Sequence, residues 1–110
     1  MCSAAEWASA SGGEFLMPAG FAADGFVHLS SPQQVHLPAN RLFEGRTDIV
    51  ALCLDAARLG APVRWEPGVP SDPDSMRFPH LYGPLPTAAV VEVVPYLPGP
   101  DGTFPPLAVR

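Results

Sequence analysis

The sequence has no lysine. All six of its basic residues are arginine, against 11 acidic residues, and the formal net charge is -5. The absence of lysine excludes a lysine nucleophile or a Schiff base, whereas arginine still offers a permanently charged fork for phosphate or carboxylate. An acidic surface repels phosphate backbones, so the charge balance disfavours general nucleic-acid binding and leaves only a local arginine pocket for an anion.

Cysteine and long apolar runs are also scarce. The two cysteines, Cys2 and Cys53, form neither a disulfide framework nor a zinc-binding spacing. No basic residue precedes Arg41 and no apolar run approaches the length of a membrane span. We therefore expect a cytoplasmic protein with no membrane segment and no bound metal.

Proline and glycine, in contrast, are abundant. The 110 residues include 15 prolines and 10 glycines, spread between apolar runs rather than arranged in repeats, and 47% of residues are hydrophobic. This composition predicts many short elements joined by rigid turns around a single core. We expect one domain over residues 1–110, with a long loop at 67–77 and a proline-rich tail at 97–110.

Two short helices are predicted. Ser3 and Glu6 have the spacing of a capping box in front of an alanine-rich run, which predicts a helix over residues 4–10. A pair of serines followed by a proline predicts a second helix beginning near Pro32, with Pro38 kinking or dividing it.

The remaining apolar segments are predicted to be strands. The run between Asp48 and Asp55 is typical of a strand covered on both faces in the middle of a sheet. The segment 78–82 contains a proline, which favours an edge position, and the strand 88–96 is expected to turn Glu92 outward. Because short turns join the later strands, the elements predict an α+β fold with a mainly antiparallel, twisted or split sheet. Phe104 and Leu107 of the tail are expected to dock on its core.

Polar residues recur at a two-residue spacing in two of these strands. Residues 24–30 read DGFVHLS and residues 78–83 read FPHLYG. Successive side chains of a strand point to opposite faces, so each stretch has one apolar and one polar face. We predict that the two stretches line one cleft, with Arg64 and Glu66 sharing a face of a third strand nearby. The side chains that would face the cleft are His28, Ser30, His80 and Tyr82.

These motifs resemble a known family. DGFVHLS, the VRWE of residues 63–66 and the FPHLYGPL of residues 78–85 are similar to the signature of the DUF952 family, a domain of unknown function, and the match runs through almost the whole chain. The resemblance implies a fold related to the ADP-ribosyltransferases. In addition, the VHLS of residues 27–30 resembles the His-Leu-Ser strand of RNA 2′-phosphotransferases, which use NAD to remove a phosphate from spliced RNA.

The beginning of the chain departs from that pattern. Members of both groups open with a strand ahead of the first helix, and in ADP-ribosyltransferase-like folds this strand carries a residue that contacts NAD. Here the chain begins almost at the first helix, so we expect the opening strand to be shortened or missing.

The resemblance implies NAD or a related nucleotide as the ligand and ADP-ribose transfer as the reaction. His28 would hydrogen-bond a ribose hydroxyl, and Ser30 would hold the neighbouring sugar or amide. Departure of nicotinamide leaves an oxocarbenium-like centre, and Glu66, beside Arg64, is the candidate carboxylate to stabilise it. Tyr82, next to His80, would stack on a flat ring and offer its hydroxyl.

Each of these residues also has a structural interpretation. Glu66 would form an ordinary ion pair with Arg64 or Arg41, and both histidines would be core residues that bond to backbone carbonyls. Trp65 is expected to belong to the core. On this interpretation the domain is a non-catalytic module that binds a small molecule or a protein, or its tail mediates association.

Other chemistries find little support in the sequence. His28 and His80 lack a third ligand at a metal-binding spacing. Ser30 lacks a nucleophile elbow, and Cys53 lies in an apolar run that predicts an inert thiol.

Overall fold

The computed structural model of the chain describes residues 1–18, 20–68 and 76–107. In this part of the chain three α-helices, instead of the predicted two, lie before residue 43 and the longer strands follow them, paired antiparallel, which confirms the α+β class. The helices are α1 (Ala4–Ala10), α2 (Phe21–Asp24) and α3 (His36–Leu42). The strands are β1 (Cys2–Ser3), β2 (Phe15–Leu16), β3 (Val27–His28), β4 (Ile49–Leu54), β5 (Val63–Pro67), β6 (Arg77–Leu81), β7 (Leu85–Pro86) and β8 (Val90–Pro95), and single 3₁₀ turns lie at Ala56–Arg58 and Thr87–Ala89.

The strands of the described residues form three small antiparallel sheets. The first sheet has the order β1-β4-β8, so β4 is its middle strand, as predicted. A second sheet pairs β2 with β7. The third has the order β3-β6-β5, and we call it the histidine sheet because His28 and His80 are register partners in it. Of the 67–77 loop, Pro67 and Arg77 are the paired ends of β5 and β6, and most of the rest lies outside the described residues.

The first helix begins as predicted. Ser3 Oγ accepts a hydrogen bond from the Glu6 amide at 3.1 Å, and a Glu6 carboxylate oxygen accepts one from the Ser3 amide at 3.1 Å, which completes the capping box. The opening strand is present but short, because Cys2 and Ser3 pair with Val50 and Ile49 of β4. Of the two expected alternatives, a shortened strand is therefore the one observed. Two residues suffice for this strand because the middle strand β4 provides the template.

The other two helices differ from the predictions. Residues 32–35 form turns, and α3 begins only at His36. Pro38 therefore lies in the first turn, where its missing amide needs no partner, and neither kinks nor divides the helix. The helix α2 was not predicted, since its single turn before Gly25, which has φ 77°, is too short to show a helical period.

The strand that contains Pro79 is the middle of the histidine sheet, so its predicted edge position is wrong. The Pro79 carbonyl accepts from the Leu29 amide at 2.9 Å, and in an antiparallel pair the amide position of the same residue faces the same neighbour. The missing donor of Pro79 therefore faces Leu29, one residue beyond the end of β3. The proline is tolerated because it costs the ladder only a bond at the end of this short strand.

The exposed and the less exposed faces of β8 are exchanged relative to the prediction. Glu92 lies on the less exposed side of β8, whereas Val91 and Val93 on the other side are 60% and 37% exposed. An alternating run predicts two faces but does not say which of them meets the core.

Within the part of the chain that the structure describes, the core consists of two clusters of buried residues. One lies around Leu16, Val27, Leu81 and Leu85, and the other contains Ile49, Tyr96 and Phe104 with Leu107 packed against it, so the predicted docking of the tail is confirmed. Trp65 is 52% exposed on the edge strand β5, so its predicted place in the core is wrong. In the described ranges, no helix is long and apolar enough to cross a membrane.

Candidate functional site

One residue from each strand of the histidine sheet lies in a single row across its polar face. His28 is the register partner of His80, and His80 is in turn the partner of Arg64. The two imidazole rings have their centroids 5.1 Å apart. The structure thus brings together the two histidine stretches that were predicted to line one cleft, but His80 is buried, and of the pair only His28 lines the cavity between this face and α3.

Phe26 joins the aromatic side chains of this face. Its ring centroid lies 4.9 Å from His28, 4.9 Å from His80 and 5.4 Å from Tyr82, with both imidazoles at its edge in T-shaped geometry. Phe26 was not among the predicted site residues. Its two-residue spacing from His28 was the available signal, because it places both rings on one face of β3.

His80 is the buried member of the histidine pair. Its side chain is 2% exposed, and its Nδ1 lies 2.8 Å from the Phe78 carbonyl oxygen. A carbonyl can only accept, so Nδ1 carries the proton and Nε2 is the acceptor in the neutral ring. The structural interpretation therefore accounts for one nitrogen of His80, which fixes the orientation of its ring beneath His28.

His28 is the exposed member of the pair, with 55% of its side chain open to solvent. Partial burial lowers the pKa of His28 below its ordinary value, and the neighbouring His80 and Arg41 lower it further. Asp24 raises it, but its Oδ2 is 3.8 Å from His28 Nε2, too distant for a strong hydrogen bond. The neutral imidazole is thus favoured, and it can donate or accept a hydrogen bond at neutral pH.

Tyr82 links the two charged residues of β5. Its hydroxyl donates a short hydrogen bond to Glu66 Oε1, and the Arg64 guanidinium carbon lies 5.0 Å from the centre of its ring. The hydrogen bond to Glu66 raises the pKa of Tyr82, because ionisation would leave two anions in contact. The Glu66 carboxylate is therefore held on the same face of the sheet as the histidine pair.

A cavity of about 300 Å³ opens between this face and the helix α3. His28, Ser30 and Phe78 line it from the histidine sheet and the chain that follows β3, and Arg41 lines it from α3. Arg41 was named in the sequence analysis only as an ion-pair partner, because no motif links it to the histidine stretches. The cavity thus combines a cation, a hydroxyl and a neutral imidazole, which suits a polar or anionic small ligand.

No group of three His, Cys, Asp or Glu side chains within residues 1–18, 20–68 and 76–107 could hold a metal ion.

The sequence matches a known protein family over most of its length. The profile of the family described as "Protein of unknown function (DUF952)" matches residues 1–93. The chain belongs to the DUF952 family. A search of curated proteins gives no match.

Solved structures of another protein resemble this DUF952 chain. The crystal structure of CC0527 from Caulobacter crescentus is 32% identical with a TM-score of 0.77, and the similarity covers 94% of this chain and 89% of that one. The solution NMR structure of CC0527 is 36% identical with a TM-score of 0.73, and covers 92% of this chain and 84% of that one. A likeness at this identity and coverage shows that the two chains share a fold.

Proposed function

We propose that this DUF952 domain binds NAD or a related ribonucleotide on the polar face of the histidine sheet and transfers ADP-ribose from it. The observation that carries the proposal is the row of His28, His80 and Arg64, which lies beside a cavity containing Arg41 and on the same face as a Tyr82-bound carboxylate. The fold relation implied by the HLS motif is consistent with this ligand class.

Different residues in and beside the cavity would contact different parts of the ligand. At about 300 Å³ it has room for a nucleoside-sized part of the ligand, at the lower end of the ~300–1,000 Å³ range of small-molecule sites. His28 would bond a ribose hydroxyl through its neutral ring, Ser30 the adjacent sugar or amide, and Arg41 a phosphate. Tyr82, whose ring already lies against Arg64, would offer a flat surface to the base or nicotinamide.

The transfer step would break the bond between the ribose carbon C1′ and the nicotinamide nitrogen. Nicotinamide leaves with the bonding electron pair, and an acceptor nucleophile forms the new bond at C1′ and loses a proton. Glu66 would stabilise the positive charge that develops on the ribose. Tyr82 would position Glu66 through the hydrogen bond between them.

Titration with NAD followed by NMR tests the binding. The chain has three histidines, and His36, on α3 outside the row, serves as the internal control. We expect the ring signals of His28 to shift and saturate with NAD while those of His36 stay in place. Unchanged His28 signals at millimolar NAD would overturn the proposal.

Release of nicotinamide tests the transfer. We expect Glu66→Gln to abolish release while NAD still shifts the His28 signals, and the exposed Glu44→Gln to change neither. Binding of NAD with no release by the unaltered protein would favour a second function, a non-catalytic ligand-binding module. That alternative is supported by the bond from Tyr82 to Glu66, which already engages one of the two carboxylate oxygens.

A further inference from the structure

A second and larger cavity lies on the apolar face of the histidine sheet. Its volume is about 670 Å³, within the ~300–1,000 Å³ range of small-molecule sites. The side chains that alternate with the histidine row line one side of it, and the middle strand of the first sheet lines the other. From the histidine sheet these are Val27, Val63, Trp65 and Pro79, and from β4 they are Ala51, Leu52, Cys53 and Leu54.

The lining determines the charge of a suitable ligand. Leu16, Leu59 and Leu85 extend the apolar wall, and the polar side chains at its edge include Ser30 and Ser31. Among the described residues that line the cavity, the groups that can carry charge are Glu6, His28 and the α-amino group of Met1, with no arginine. Burial lowers the pKa of both nitrogen bases, which favours their neutral forms. A carboxylate or phosphate would therefore lose its hydration there without gaining a fixed positive partner.

Trp65 marks the opening of this cavity. It lines the space, yet it is 52% exposed, so a large part of the indole faces water beside an apolar hollow. Covering such a ring with an apolar ligand is favourable at roughly 25 cal/mol per Å² of area removed from water. The exposed indole and the apolar lining thus fit a compact hydrophobic molecule.

We propose that this cavity binds an uncharged hydrophobic small molecule whose single hydrogen-bonding group meets Ser30 and Ser31. The inference does not require NAD binding, because it concerns a different ligand and a mainly apolar lining, although the two cavities adjoin and share His28 and Ser30. A protein that binds the hydrophobic probe but gives no response to NAD would retain this inference and reject the other.

The test uses N-phenyl-1-naphthylamine, an uncharged probe that fluoresces in apolar surroundings, with the full chain. In Trp7→Phe, which leaves Trp65 as the sole tryptophan, we expect saturable probe binding with quenching of the Trp65 emission. Decanol should displace the probe at a concentration at least about tenfold below that of decanoate, a difference of about 1.4 kcal/mol. Absence of saturable binding, or equal displacement by the two competitors, would overturn the proposal.

A cavity-filling variant locates the probe. Cys53→Phe should weaken probe binding at least about tenfold, since the added ring occupies the hollow. Val91→Phe is the matched control, because it adds the same ring to the exposed side of the first sheet and should leave the affinity unchanged. Equal affinities for the two folded variants would contradict the assignment.

A second measurement does not depend on the folding of Cys53→Phe. In Cys2→Ser, Cys53 is the sole thiol, and alkylation by iodoacetamide reports its accessibility. We expect saturating probe to slow this alkylation several-fold. An unchanged rate with the probe bound would place the probe elsewhere and overturn the proposal.

Discussion

At the scale of single residues, the hydrogen bond between Tyr82 and Glu66 leads to a testable prediction about the pKa of Tyr82. The Glu66 carboxylate raises the pKa of Tyr82, so Glu66→Gln should bring this pKa down toward 10.0. The pKa of the other tyrosine, Tyr96, is raised by burial. The titration is therefore made in Tyr96→Phe, in which ultraviolet absorbance of tyrosinate reports Tyr82 alone.

The matched control for that titration is Glu44→Gln, which removes an exposed carboxylate from the loop before β4. It should leave the Tyr82 curve in place. If Glu66→Gln and Glu44→Gln gave the same curve, the hydrogen bond could not be what holds the Tyr82 proton.

His28 gives a pH dependence whose sign follows from its surroundings. Burial, His80 and Arg41 lower its pKa below 6.5 in the folded chain, and Asp24 only partly opposes them. As pH falls through 6.5 toward the lowered pKa, the unfolded chain takes up the proton first, so this residue's contribution to stability decreases with acid. We expect the urea midpoint of the unaltered protein to fall more between about pH 7.5 and 5.5 than that of His28→Asn. A parallel fall in the two proteins would contradict this.

At the scale of elements, Pro79 separates what a local pattern can predict from what it cannot. The capping box of α1 and the apolar run of β4 were predicted because each depends on a few consecutive residues. The position of β6 was not, because a proline excludes a middle strand only where its missing amide faces a partner. Which neighbour a strand has is decided by pairing across the chain, and here the empty position meets the end of β3.

Restoring that amide tests this account. Pro79→Val supplies a donor opposite Leu29, so we expect the pairing of β3 and β6 to extend by one hydrogen bond. The new amide should exchange slowly with deuterium, at a rate comparable to that of the Leu29 amide. Stability should change by no more than about 1 kcal/mol, since the bond gained offsets the greater freedom of the unfolded valine chain. Fast exchange at residue 79 would show that its amide position faces water.

At the scale of the whole molecule, the candidate site was predicted in part. Alternation along two strands placed His28 and His80 on polar faces, and the antiparallel pairing of β3 with β6 brought these faces together. Arg41 and the exposure of Trp65 escaped prediction, because one depends on where α3 crosses the sheet and the other on which strand ends the sheet. Such relations between distant elements have no local pattern.

The C-terminal tail completes the second core cluster. It lies outside residues 1–93, which the family profile matches. Phe104 is 2% exposed and its ring lies 5.0 Å from that of Tyr96. The Asn40 side chain on α3 forms two hydrogen bonds with the backbone of Phe104. Asn40 Oδ1 accepts from the Phe104 amide at 2.6 Å, and Asn40 Nδ2 donates to the Phe104 carbonyl oxygen at 3.2 Å. The tail thus ties α3, which carries Arg41, to the first sheet.

Removing the Phe104 ring should therefore destabilise the whole domain. We expect Phe104→Ala to lower the free energy of unfolding by about 3–5 kcal/mol, the usual cost of emptying a buried aromatic position. Leu97→Ala, at a tail position that is 51% exposed, is the control and should cost well under about 1 kcal/mol. Urea unfolding followed by circular dichroism measures both. Similar small losses in the two variants would mean that the tail contributes little to the second core.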